Sequence, residues 1–180
     1  QLLRYPTVRW IAAQADAASG ASDAFEVTAG PEVLRARRIV LATGVSDGLP
    51  EVPGLRERWG QAVFHCPYCH GYELRNGRIG VLATIPASVH QALLLPDWGA
   101  VTFFLNGVVE PSAEELQQLA QRGVRVEPVP VVRISGRACV HLRDGREVEL
   151  DGLFTASRTP PARPLAGQLG CEHEEGPLGR

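Results

Sequence analysis

Between Arg78 and Gly123 the chain repeats one rhythm, and that rhythm restricts the fold more than any other feature. Arg78-Ile79-Gly80-Val81-Leu82-Ala83 is an apolar run of strand length. Ala87 to Leu95 then carries apolar residues at helical spacing and stops at Pro96. Val101-Thr102-Phe103-Phe104-Leu105 is a second apolar run, closed by Asn106-Gly107. Pro111-Ser112-Ala113-Glu114-Glu115 opens a second helix, which stops at Gly123. Ser112 can cap its orphan amides, and the acids complement the positive helix end. Strands that are apolar throughout need cover on both faces, and strands alternating with helices give a parallel, doubly wound sheet. The expected fold class is α/β.

The flanking segments share a plan. Val129 to Ile134, Cys139-Val140-His141-Leu142 and Glu147-Val148-Glu149-Leu150 read as a three-stranded meander, with Asp144-Gly145 as its hairpin turn. Gly152-Leu153-Phe154-Thr155-Ala156-Ser157 follows as an apolar strand ending in small residues, then Pro160, Pro161 and Pro164. Earlier in the chain, Val8 to Ala13 and Phe25 to Thr28 read as strands and Gly30-Pro31 as a turn. Ile39-Val40-Leu41-Ala42-Thr43-Gly44 reads as a buried strand ending in small residues, before a Pro/Gly crossing to Gly54. The repetition predicts two related Rossmann-like units, the second, with its meander, inserted into a partial first.

The densest chemistry is His65-Cys66-Pro67-Tyr68-Cys69-His70-Gly71-Tyr72-Glu73. Two cysteines at this spacing can close a disulfide ring, and a neighbouring imidazole can carry protons. Structural zinc is the competing reading, but C-x-x-C is half a tetrahedral site and no second pair or matched histidine pair completes it. No metal site is therefore expected. Cys139 reads as a small buried hydrophobe on a strand, and Cys171 as a residue without a role. All 18 basic residues are Arg, so Schiff-base and P-loop lysine chemistry is excluded in this stretch. The net charge of -2 gives no reason to expect nucleic acid or an anionic membrane as partner. No run reaches membrane-spanning length and no signal-peptide pattern opens the chain, so a cytoplasmic location is expected. There is no Met, so no initiator is present, as expected of part of a longer protein or a processed product.

The strand 39–44, the Pro/Gly crossing, the C-x-x-C-H-G-Y-E stretch and the unit after it together resemble the thioredoxin-reductase-like flavin disulfide oxidoreductases. The C-x-x-C-H-G-Y-E form is most similar to the branch with gliotoxin- and holomycin-type dithiol oxidases. The resemblance covers almost the whole chain and implies the middle of a longer enzyme. Residues 1–46 would end the first FAD-domain segment, with Ala42, Thr43 and Gly44 at the cofactor. Residues 47–157 would form an NAD(P)-binding-like domain carrying the dithiol, and 158–180 would begin the return to the FAD domain.

It also implies an oxidoreductase that passes electrons between NAD(P)H, FAD and the dithiol to a disulfide substrate, small or thioredoxin-like. By analogy Cys69 faces the flavin, Cys66 exchanges with substrate and His70 carries the proton. The family carries the expectation of a homodimer. The alternatives are a dithiol oxidase using FAD and dioxygen, and a non-catalytic Rossmann-like binding module. One stretch departs from the pattern: Ala83-Thr84-Ile85-Pro86-Ala87-Ser88 stands where a glycine-rich loop should cradle a pyrophosphate. Ile85 would fill the space that phosphate needs, so the residues themselves argue against NADPH there.

Overall fold

The structure, a computed structural model, describes residues 2–172, 174 and 176. The end of the expected return segment, beyond Gly176, lies outside the described residues. The chain divides into two compact units, residues up to Ser46 with Pro160–Gly176, and Asp47–Thr159.

The first unit is built on an antiparallel meander of β1 (Ala15–Ala21), β2 (Ala24–Ala29) and β3 (Glu32–Ala36), in the order β1-β2-β3. A helical turn at Leu165–Gln168 packs on β1, and the Gln168 Oε1 accepts from the Ala18 amide at 2.9 Å. Two expectations fail in this unit. Val8 to Ala13 is not a strand, and Trp10 within it is 72% exposed. Ile39 to Gly44 is neither a strand nor buried; Val40 is 89% exposed. The physical reason is the same for both: apolar, β-prone residues form a strand only against a partner ladder. No described strand pairs with either run. The backbone of 39–43 makes no hydrogen bond among the described residues.

The second unit holds a parallel five-stranded sheet. Its strands are β4 (Val63–Phe64), β5 (Arg78–Leu82), β6 (Ala100–Phe104), β7 (Arg125–Glu127) and a last strand, Gly152–Thr155. Helices α1 (Pro67–His70), α2 (Ser88–Leu94) and α3 (Ala113–Gln121) connect the strands. A second antiparallel meander, β8 (Val131–Ser135), β9 (Cys139–Leu142) and β10 (Glu147–Glu149), precedes Gly152–Thr155, which is β11. The sheet order is β4-β11-β5-β6-β7, so β11 returns to lie between β4 and β5. At α3 the Ser112 Oγ accepts from the Glu115 amide and the Glu115 carboxylate accepts from the Ser112 amide, a complete capping box.

Alternate residues of each central strand serve different layers. Ile79, Val81, Val101, Phe103 and Phe154 pack with Val89, Ala92, Leu95 and Leu119 from the helices. Leu82, Phe104 and Leu153 pack with Ile134, Val140 and Leu142 from the meander. The expected α/β class, parallel sheet and βαβ connections are therefore present. Among the described residues no helix is long and apolar enough to cross a membrane.

Two contacts tie the layers together. The Pro/Gly crossing reaches the meander where the Ile134 amide donates to the Pro53 carbonyl at 2.8 Å. Gly54 beside it has φ +84°, and a Cβ there would run into the Ile134 carbonyl oxygen. Glu127 on β7 accepts a two-pronged bond from Arg146 in the β9–β10 turn, at 2.6 and 2.9 Å. That guanidinium, helped by the Val129 amide, holds the buried Glu127 carboxyl below its ordinary range despite the cost of burial.

Gly54→Ala should lower unfolding stability by about 2 kcal/mol or more, read from the urea midpoint, because it adds both a clash and a left-handed strain. The Glu127 pair contributes stability that is fully present above about pH 4.5, the ordinary glutamate value, and is lost as pH falls through the lowered folded value. Glu127→Gln should therefore destabilise the protein at neutral pH and make no further difference in strong acid. Urea titrations of both proteins across that range check the sign.

Candidate active site

The cysteine stretch folds as one short helical turn for local reasons. Cys66 is extended (φ −99°, ψ 114°) and precedes Pro67, which opens α1 with the backbone angle already set and no amide to leave unpaired. A second turn, Tyr72–Leu74, follows and is closed by Arg75 and Asn76 at φ 52° and 57°. One helical turn brings residues three apart onto the same face. The Cys69 thiol donates to the Cys66 sulfur across 2.7 Å, and both cysteines are free thiols. That bond, then desolvation and the charge of Cys66, push the Cys69 thiol above its ordinary value of 9.0. Cys66 is half-buried and Cys69 exposed.

His70 ends the same turn. Its ring stacks on Phe64 with centroids 4.3 Å apart, and its Nδ1 lies 3.4 Å from a Glu73 carboxylate oxygen. The Nε2 atom makes no hydrogen bond among the described residues. His65 is differently placed. Its Nδ1 accepts from the Ser157 amide at 3.2 Å and lies 3.1 Å from the Ser157 hydroxyl, so the proton of the neutral ring sits on Nε2. The Ser157 hydroxyl donates to Asp47 at 3.3 Å, and the other Asp47 oxygen accepts from the Trp59 indole at 3.0 Å. The Gln91 amide donates to the His65 carbonyl at 2.7 Å. The residue entering the dithiol turn is thus pinned to α2 and to the end of β11.

The strand ends carry a cleft of about 260 Å³, lined by Ala83, Thr84, Ile85, Asn106, Ser157 and Arg158. It sits where α/β sheets take ligands, beyond the carboxyl ends of the strands. Its loop amides are already engaged: the buried Ser88 hydroxyl accepts from the Thr84 amide at 3.1 Å and the Ile85 amide at 3.4 Å. The Thr84 hydroxyl donates to the Ala156 carbonyl at 2.9 Å. The loop has no free amide pair for a pyrophosphate, and the cleft is small for a dinucleotide.

Cys66, Cys69 and His70 are brought together on one turn of the second unit. Ala42, Thr43 and Gly44 belong to the first unit, where they are exposed, with Gly44 at φ +68°. Sequence reasoning missed three supports. Glu73 was signalled only by its three-residue spacing from His70. Ser157 and Asp47 reach His65 from far along the chain, and nothing local marks them. Replacing Cys66 by Ser should move the iodoacetamide alkylation profile of Cys69 down, toward pH 9.0, its ordinary value. The rate is to be read against pH with Cys139 and Cys171 blocked by substitution.

No protein-family model matches the chain. It is 35% identical over 157 residues to the thioredoxin reductase sirT of Leptosphaeria maculans, covering 77% of this chain and 48% of that protein. It superposes on the crystal structure of an oxidoreductase from Agrobacterium tumefaciens with a TM-score of 0.95 at 51% identity, covering 99% of this chain and 61% of that one. It superposes on a putative thioredoxin reductase TrxB from Bacillus anthracis with a TM-score of 0.85 at 25% identity, covering 96% and 60%. The chain spans about half the length of the curated relatives it matches. Over the residues it spans, the chain is a member of the thioredoxin-reductase-like disulfide oxidoreductase family.

Proposed function

We propose that the chain supplies the dithiol centre of a flavin-dependent oxidoreductase that reduces a disulfide substrate. The observation that carries this is the Cys66–Cys69 sulfur pair at 2.7 Å on one turn, with the proton kept on Cys69. The names of the relatives favour this direction over a dithiol oxidase, in which the same steps run backwards toward dioxygen.

The chemistry follows from the two thiols. Cys66, as thiolate, attacks one sulfur of the substrate disulfide; that S–S bond breaks and the leaving sulfur departs as a thiolate. Cys69 then gives its proton to His70 and attacks the Cys66 sulfur. The second substrate sulfur leaves, taking that proton from His70, and a Cys66–Cys69 disulfide remains, so the substrate has gained two electrons and the pair has lost two. The Glu73 carboxylate 3.4 Å from Nδ1 and the stack on Phe64 keep the ring from turning away. Pinning of His65 by Gln91 and Ser157 orients the chain entering the turn.

FAD, when bound, would return the two electrons that restore the dithiol. The exposed 42–44 backbone, free of hydrogen bonds up to Thr43 among the described residues and with open space at Gly44, fits a role in holding it. On this reading the first unit is part of an FAD domain and the second is NAD(P)-domain-like. The nicotinamide loop does not fit: Ile85 stands where a glycine is needed, and the Ser88 hydroxyl uses the Thr84 and Ile85 amides. We assign no step to NADPH here. The substrate is a disulfide carrier protein of the thioredoxin kind or a small disulfide, the assembly a homodimer, and the location the cytoplasm, where free thiols persist.

The test is turnover by the full-length, flavin-loaded enzyme. Disulfide reduction should be abolished in Cys66→Ser and in Cys69→Ser with flavin still bound, and His70→Asn should slow it by about a hundredfold. Undiminished turnover in either cysteine variant would refute the proposal.

A further inference from the structure

The outer face of the second meander assembles a group of side chains that the dithiol chemistry does not use. Strands β8, β9 and β10 pair in register, with Ser135 and Glu149 opposite Cys139, and Arg133 and Glu147 opposite His141. Val140 and Leu142 of β9 turn into the core, so Cys139 and His141 share the other face. Cys139 and His141 are nevertheless buried, at 4% and 8% exposure, beneath longer neighbours. Ligand atoms of Cys139, His141 and Glu147 all lie within 4.8 Å of one another.

The contacts around His141 do not satisfy each other. Its Nε2 lies 2.6 Å from the Ser135 hydroxyl. Its Nδ1 lies 3.0 Å from a Glu147 oxygen and 3.1 Å from the Arg133 guanidinium. If Nδ1 carries a proton, it faces a donor on Arg133. If Nδ1 carries a lone pair, it faces an acceptor on Glu147. No tautomer serves both. A metal cation in place of the guanidinium resolves the conflict, because imidazole nitrogen and carboxylate then both act as ligands. Nε2–H would donate to Ser135, the outer contact that orients metal-bound histidines.

The spacing agrees. Zinc bond lengths and tetrahedral angles put nitrogen and oxygen ligands about 3.4 Å apart and sulfur and oxygen ligands about 3.6 Å apart. The corresponding separations are 3.0 Å from His141 to one Glu147 oxygen and 4.0 Å from Cys139 to the other, so a small turn of the carboxylate brings either oxygen to both. Side chains of exposed residues such as Glu147 and Arg133 can make the remaining adjustment.

We propose that Cys139, His141 and Glu147 form a binding site for a zinc-class divalent cation, entered by displacement of the Arg133 guanidinium. Mixed sulfur, nitrogen and oxygen ligands suit zinc or cobalt rather than calcium or magnesium. Glu149, opposite Cys139, or a water completes the coordination. The Cys139 thiol loses its proton on binding, and no electron is transferred.

The test is anaerobic titration of Co2+ into the full-length protein carrying Cys66→Ser, Cys69→Ser and Cys171→Ser, which removes the other thiols of this chain. One Co2+ should bind at this site with a thiolate-to-metal charge-transfer band. Adding Cys139→Ser should abolish the band, and Glu147→Gln, at an exposed position, should weaken binding by about tenfold or more. Arg133→Gln should tighten it. Absence of the band in the triple variant, its survival without Cys139, or unchanged affinity in Glu147→Gln would overturn the site. Unchanged or weaker affinity in Arg133→Gln would overturn the displacement.

Discussion

Strands β5, β6 and β11 bury side chains on both faces, and the rest of the second unit is arranged to allow it. Ile79, Val81, Val101 and Phe103 require the helices; Leu82, Phe104 and Leu153 require the meander. Without either layer, large apolar surface would return to water at about 25 cal/mol per Å². Gly80 shows how closely the meander sits. A Cβ there would fall 2.5 Å from a Leu150 methyl and 2.6 Å from a Leu153 methyl. The meander is therefore structural cover for a parallel sheet, whatever else its outer face does.

That sheet also makes the dithiol turn a fixed site rather than a loop. The turn leaves β4, an edge strand held parallel to β11. Ser157, just past the end of β11, bonds His65, and Gln91 on α2 bonds the same residue's carbonyl. The oxygen of the Gln91 amide is buried with no partner among the described residues, so its donor bond to His65 is made at the expense of its acceptor. The site therefore inherits the rigidity of elements whose cores are packed independently of it.

Most of the second unit was legible because its signals are local. Apolar runs between 78 and 105, the Ser112 cap and the Asp144-Gly145 turn each carry their own reason to form. The Cys66–Cys69 contact was legible for the same reason, since one turn of chain brings the sulfurs together. Residues 39–44 show the limit: Val40 and Leu41 have strand chemistry, but a strand is a property of two segments, and the described chain provides only one. Cys139 shows another limit. Its burial was readable from its neighbours Val140 and Leu142, but its company was not. His141, Glu147 and Glu149 meet it through β-sheet register, and Arg133 comes from a third strand.

Proton retention by Cys69 has a consequence beyond the order of exchange. A thiol is a far weaker nucleophile than its thiolate, and a far slower target for peroxides and alkylating agents. Cys69 is exposed, so burial does not protect it and its protonation is what limits its reactivity. Held as the donor to its neighbour, it is protected by its proton where it is not protected by burial, and that bond is lost once the Cys66 sulfur enters a disulfide. The pair thus keeps one sulfur in reserve, and a stray oxidant that captures Cys66 meets an intact partner able to expel it.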